Sequence, residues 1–436
     1  MLWFGFGFNA FGQIVDPGTA PRGEDSITSY TCLTPTRVDR PQQAGRAVMT
    51  QQLSASWSRT ALLCPHDGDP AVYLSGSGSG TGSGTGGWVE GSRGCRDALL
   101  GERHLTLGFS GRVDRWDLQQ QHGDPEDPGG PGDPGDPGDP REPGDPGDPG
   151  GPGDPGDPGP PAWSMETPHL KDSTGASFLR LPLVPGGYIA HKPPLYRPLP
   201  PQLRAVSLAL GAEHAVLLSG SGTVYTWGIG SHGQLGHSGL SAEKEPRPVE
   251  ALWGVRIDSV ATGGWHSACI SAGGDLYVWG WNESGQLGLP SQAMRTSQGH
   301  KSGKETASRQ QEAGAATGGE EPEAAGSPEV FISIQAFPAL LDVTESCDVA
   351  KVSCGSRHTA AVTSKTRRFV YKLRFSNASV VQQRDYGQLG HGTRWSSDEP
   401  QCVDFFRRRG MRAVDVVCGP WNTFAMATRE EVAARS

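Results

Sequence analysis

Three histidines, His214, His266 and His358, are the side chains of this sequence best suited to acid–base or metal chemistry, because a neutral imidazole can take a proton or bind zinc near neutral pH. Each follows a glycine by three places, and His214 and His266 stand 52 residues apart inside two copies of one phrase. A catalytic group would occur once. Recurrence implies that the imidazole satisfies buried backbone groups in every blade. Asn422 holds the fourth such position; an amide can make similar hydrogen bonds but is a poorer zinc ligand. Trp227 and Trp279 recur at the same interval and read as packing rather than as ligand platforms. The glycines of W-G-x-G lead into no helix, so they lack the means of binding a pyrophosphate, and no G-x-S-x-G, H-E-x-x-H or Walker sequence is present. The eight cysteines form no C-x-x-C pair, which argues against a zinc site and for a reduced, intracellular compartment. No catalytic residue, metal or cofactor is therefore expected, and the chain reads as a binding protein, not an enzyme.

The informative position is the one that varies inside the constant phrase. Glu213, Trp265, Arg357 and Trp421 each immediately precede the His or Asn. What changes between repeats while their frame persists is where specificity can be placed without harming packing, so these side chains are expected to line one partner-binding face; ordinary loop variation is the alternative. Trp57 and Tyr196 join them as candidates, from a divergent first half that keeps bulky groups such as Trp88, Trp163 and Tyr188.

The elements that position these residues follow from self-similarity. LGAEHAVLLSGSGTVYTWGIGSHGQLGH from Leu210 lines up with TGGWHSACISAGGDLYVWGWNESGQLGL from Thr262; a third copy starts at Cys354 and resumes at Asp385, and a fourth starts at Cys418 and stops early. Apolar runs, Gly or Ser turns and a Tyr/Trp run predict small antiparallel sheets, with Thr223 to Trp227 and Asp275 to Trp279 alternating as half-buried strands. Sheets of about four strands bury their faces when arranged radially, so the fold class is all-β, a β-propeller. At the other end of the chain Phe6-Gly7-Phe8-Asn9 through Gln13 matches Trp279-Gly280-Trp281-Asn282 through Gln286, which supplies the half-repeat missing at the end and predicts a ring closed by both termini. A worn copy from Ser54 carries Arg59 or Ser58 where the histidine belongs. Spacing allows six or seven blades.

The phrases W-G-x-G-x-x-G-Q-L-G and G-x-x-H resemble the regulator of chromosome condensation repeat, over Leu210 to Met426 with gaps. That resemblance implies seven blades. WFGFGF, PPLYRPL, GGWHS with WGWNESGQL, and CGPWN carry a closer similarity to a short vertebrate member of the family with a degenerate first half. It implies a chromatin protein of the nucleus or chromosome, with some in the cytoplasm, that recruits or positions a JmjC-domain oxygenase in histone lysine methylation and contacts histones. The alternative it implies is guanine-nucleotide exchange on a small nuclear GTPase.

Residues 1–436 read as one propeller domain, divergent over 1–200 and clearly repeated over 201–428, with disordered insertions at 75–87, 123–161 and 291–329. The formal charge of −9 comes from the Asp-Pro-Gly tract of 123–161, whose nine Asp, two Glu and one Arg sum to −10 and leave the rest near +1. A near-neutral body offers no footprint for nucleic acid. No apolar run spans a membrane, and the glycine-broken start without a basic region is not read as a signal peptide. After Thr363 the expected Tyr/Trp strand is replaced by SKTRRFVYKLRFSNASVVQQR; either Phe369 to Tyr371 supply a substitute strand or the stretch is a splicing artefact that damages one blade.

Overall fold

The runs that follow each G-x-x-H phrase, His214–Ser219, His266–Ser271 and His358–Thr363, are strands buried along their whole length. They hold second place in antiparallel sheets whose two faces are both covered by neighbouring sheets, so apolar residues and small hydroxyls fill every position. The next strands, Val224–Gly228 and Leu276–Trp281, are likewise mostly buried, and the expected alternation is blurred for the same reason. The computed structural model describes residues 1–15, 27–28, 30–38, 41–43, 46–47, 50–77, 86–118, 161–168, 180–291, 331–343, 348–363, 369–373, 386–392 and 397–429.

Among the described residues seven antiparallel sheets of three or more strands form the propeller. Blade 1 is built from both ends of the chain, in the order Ile27–Thr28, Thr31–Arg37, Leu2–Phe8, Asn422–Arg429, Met411–Cys418. Blade 2 comprises Gln52–Ala55, Arg59–His66, Asp69–Gly76 and Gly87–Trp88; blade 3, Asp97–Leu100, His104–Gly108, Arg112–Asp117 and Trp163–Glu166. Blade 4 has three strands, Leu183–Val184, Gly187–Ile189 and Tyr196–Pro198. Blade 5 comprises Ala205–Leu210, His214–Ser219, Val224–Gly228 and Glu243–Pro248; blade 6, Ile257–Thr262, His266–Ser271, Leu276–Trp281 and Ile334–Leu341; blade 7, Val349–Cys354, His358–Thr363, Phe369–Leu373 and Ser397–Cys402. Six blades thus carry at least four strands, and blade 4 is a partial seventh.

Closure follows the expected complementarity. Leu2 pairs with Ala427 and the register runs to Gly7 with Asn422, while Phe4 to Phe8 pair on their other side with Thr31–Arg37. The terminal phrase also folds like its internal counterpart. Gly7 and Gly280 have φ of 107° and 109°, where a Cβ would run into the carbonyls of Trp421 and Trp265. Asn9 Oδ1 accepts from Ile14 N at 2.8 Å as Asn282 Oδ1 does from Leu287 N at 3.0 Å. The substitute strand in blade 7 is real: Phe369–Leu373 pairs with His358–Thr363 and with Ser397–Cys402.

The core lies between blades. Trp3, Phe4, Phe6 and Phe424 of blade 1 share one cluster with Leu53 and Leu62 of blade 2 and with Ala360 and Val362 of blade 7. Similar clusters join blades 2 and 3, 3 and 4, 4 and 5, 5 and 6, and 6 and 7. Each fully buried large side chain contributes about 2 kcal/mol, so the seams hold the ring. Of the three insertions, Ser75 and Gly76 end one strand and Gly87 begins the next; nearly all the rest lies outside the described residues. Among the described residues no helix is long and apolar enough to cross a membrane.

Candidate functional site

Each repeat histidine reaches into the next blade. His214 Nε2 lies 2.9 Å from Ser267 Oγ, His266 Nε2 3.0 Å from Thr359 Oγ1, and His358 Nε2 3.0 Å from Thr423 Oγ1. These hydroxyls are the residues just after the His or Asn of the following copy. They donate in turn to the carbonyls of Gln234, Gln286 and Gln388 at 2.9, 2.8 and 3.2 Å. Because each hydroxyl proton is committed to a carbonyl, Nε2 must be the donor to the hydroxyl, which fixes the neutral tautomer. Burial, with a smaller contribution from a neighbouring repeat histidine, lowers His214 and His358 to about 3, and burial lowers His266 to about 4. The imidazoles therefore bridge blades through a hydroxyl that is itself bonded to a backbone carbonyl. The glycine three places earlier is steric: a Cβ on Gly211, Gly263 or Gly355 would overlap the ring of its own repeat's histidine. Trp279 Nε1 donates to the Gln234 carbonyl at 2.8 Å and Trp227 Nε1 to Tyr188 Oη at 3.3 Å, so both indoles also tie one blade to its neighbour.

Asn422 departs from the pattern. Its amide nitrogen and oxygen are buried without a protein partner, as is Thr60 Oγ1, the hydroxyl one blade further on. An amide is too short to do the work of the imidazole here. In blade 2 the histidine's place belongs to Arg59, not Ser58: Ser56 N donates to Arg59 O as Gly211 N does to His214 O. The Arg59 guanidinium bonds three carbonyls, of Ser77, Glu102 and Leu118, at 2.5, 2.9 and 3.2 Å. Burial pulls its pKa down, and the charge of Glu102 opposes that. Blade 3 carries Gly101 and His104 in the repeat's own spacing, a copy that the sequence reading missed although its G-x-x-H signal is intact.

The residues before the histidines come together in two groups on the loop face above these junctions. In the first, Trp265 Nε1 donates to Glu213 Oε2 at 3.0 Å, Trp265 packs edge-on against Trp281 at 5.7 Å, and Arg357 lies 4.8 Å from the centre of the Trp281 ring. In the second, Trp421 meets Tyr386 at 5.9 Å, Tyr386 meets Phe8 at 4.7 Å, and Phe8 stacks on Trp57 at 5.9 Å. Trp57 is 43% exposed and Phe11 beside it 38%. His232 adds a third ring to the first group, 5.9 Å from Trp265 and 5.5 Å from Trp281. The two groups, from blades 5, 6 and 7 and from blades 7, 1 and 2, make up the aromatic belt of this face, whose members Trp281, His232, Phe8 and Tyr386 were not singled out from sequence. Tyr196 is placed elsewhere, on the outer strand of blade 4, where it lines a groove of about 620 Å³ with Tyr188, Trp227 and Pro246. Trp88 is taken up by stacking with His66, Tyr188 is buried, and Trp163 packs on the core. Among the described residues no three His, Cys, Asp or Glu side chains gather as a metal site.

The regulator of chromosome condensation (RCC1) repeat profile matches residues 221–270, 273–301 and 383–426, and a second profile of the same repeat matches 205–234 and 257–286. RCC1 domain-containing protein 1 of Mus musculus is 37% identical over 440 residues, covering 98% of this chain and 97% of the relative. The Homo sapiens protein of that name is 37% identical over 439 residues with the same coverage. Among solved structures, Prp20p from Saccharomyces cerevisiae has a TM-score of 0.60 at 13% identity, over 99% of this chain and 92% of that one, which supports the fold.

Proposed function

Since the chain belongs to the RCC1 repeat family, we propose that it is a non-catalytic interaction scaffold of chromatin in the nucleus, recruiting or positioning a JmjC-domain histone-modifying oxygenase through the aromatic belt. The observation that carries the reading is the division of labour around each repeat histidine. The groups able to do chemistry, His214, His266 and His358, are buried, held neutral and engaged across blades. The residues beside them, Trp265, Arg357 and Trp421, stand at the surface in contact with further aromatic rings. Half-exposed Trp, Tyr and Arg are the side chains that most often carry interface energy. Affinity purification of the full-length chain from nuclear extract, read by mass spectrometry, is expected to return a JmjC-domain oxygenase, with recovery falling at least about tenfold for folded Trp57→Ala or Trp421→Ala variants. Loss on Tyr196→Ala alone would move the interface to blade 4. The structure named for Prp20p records binding to Gsp1p and histones, which keeps nucleotide exchange on a small GTPase as the second reading; accelerated nucleotide release by the purified chain would favour it over the scaffold.

A further inference from the structure

Resting on the docking face just proposed, we infer that its blade 5 to blade 6 corner is a seat for an arginine side chain from a basic segment of the partner. Three rings meet there: His232 to Trp281 at 5.5 Å, His232 to Trp265 at 5.9 Å, and Trp265 to Trp281 at 5.7 Å with their planes at 89°. Perpendicular indoles present one π face and one edge to any group that enters the corner. The chain itself shows what that chemistry accepts, because the Arg357 guanidinium already sits over the Trp281 ring at 4.8 Å.

The charges around the corner extend that observation. Burial disfavours the charge on Arg357, and the charge of Glu283, which is exposed, favours it. Glu213 is exposed too, and the bond from Trp265 Nε1 to its Oε2 holds its carboxylate at the rim of the indole. Among the ion pairs of the described residues none involves Glu213, so its carboxylate can take a cation from a partner. A guanidinium suits it better than an ammonium: it is planar and weakly hydrated, so it can stack on Trp265 while its in-plane N–H groups donate to Glu213. A lysine would have to choose between the ring and the carboxylate.

The probe is a fluorescein-labelled, end-capped alternating Gly-Arg octapeptide titrated into the full-length protein by anisotropy, beside the matching Gly-Lys and Gly-Glu peptides. The arginine peptide is expected to bind about fivefold more tightly than the lysine peptide, and Glu213→Gln and Trp265→Ala are each expected to weaken it about tenfold while leaving the circular dichroism spectrum unchanged. Tyr196→Phe should change nothing. Equal binding of the arginine and lysine peptides would reduce the corner to simple charge attraction and overturn the seat, as would arginine-peptide binding that ignores Glu213 and Trp265. Preferential capture of the Gly-Glu peptide, lost in Arg357→Gln, would assign the corner to an acidic segment instead. If Trp57→Ala or Trp421→Ala still abolished oxygenase capture while the peptide result failed, the docking face would stand and the arginine seat alone would fall.

Discussion

The two halves of this ring solve the same problem, joining each blade to the next, with different chemistry. Between blades 5 and 6, 6 and 7, and 7 and 1 a neutral imidazole, a hydroxyl and a glutamine carbonyl form a short buried relay. Between blades 2 and 3 the hydroxyl's place is taken by Leu105, so an imidazole would have nothing to reach, and Arg59 bonds carbonyls instead. Asp97 adds a second charged junction: Gln52 of blade 2 donates to it at 2.7 Å, and so does Leu181 N near blade 4 at 2.7 Å. Arg115 of blade 3 reaches the carbonyls of Ala190 and His191, each at 3.1 Å. The difference matters for the face. A relay that stays below the surface leaves the preceding residue free to become Glu, Trp or Arg. The worn half spends this position on its own structure: Ser58, which precedes Arg59, is buried and its Oγ donates to Glu102 at 2.6 Å. Repetition has kept support and display separate where the relay survives.

The largest test of this contrast acts where the halves are sewn together. Deleting residues 1–13 removes a central strand of blade 1 with Trp3, Phe4, Phe6 and Phe8, each worth about 2 kcal/mol in burial; calorimetry should show loss of the cooperative transition, whereas an unchanged melting temperature would refute closure. Next comes Arg59→Met, which takes the donor from three part-buried carbonyls and should cost about 2 kcal/mol in urea denaturation. Arg59→His alone should recover little of this, and Arg59→His with Leu105→Thr more, since only the pair rebuilds the relay.

The relay half should also be the acid-sensitive half. Its three histidines titrate at about 3 to 4 when folded, below the ordinary value near 6.5, so the unfolded chain binds more protons in between. Their contribution is fully present above about pH 7 and is lost as pH falls toward 4, at about 1 kcal/mol per histidine by pH 5.5. His358→Asn, which copies the natural Asn422, should flatten the dependence of stability on pH; an unaltered slope would mean that the imidazole does not stay neutral. The smallest effect is a gain: Asn422→His should reach Thr60 and add about 1 kcal/mol.

Much of the ring was legible in the chain because one phrase recurs. Period and strand pattern give the blades, and the match of Phe6 through Gln13 to Trp279 through Gln286 gives the closure down to the side-chain bonds of Asn9 and Asn282. The relay was half visible: the Ser or Thr after each position stands in the sequence, but its partner lies in the preceding copy, and no pattern within one repeat shows a contact between two. Asp97 and Arg115 left no trace at all, since a junction used once has no period. The belt takes in Glu213, Trp265, Arg357, Trp421 and Trp57 of the sequence candidates, while Trp281 joins it from the end of the strand Leu276–Trp281 and His232 and Tyr386 only through loops whose course the fold decides.

Support and display meet at two adjacent residues, Trp265 and His266, and comparing their alanine variants in the full-length chain tests the separation most directly. His266→Ala should lower the melting temperature by about 5 °C, through about 2–3 kcal/mol of lost relay and packing, and leave oxygenase capture by the folded protein intact. Trp265→Ala should leave the melting temperature within about 1 °C and lower capture severalfold. The same loss of stability in both, with capture unaffected by either, would contradict the account.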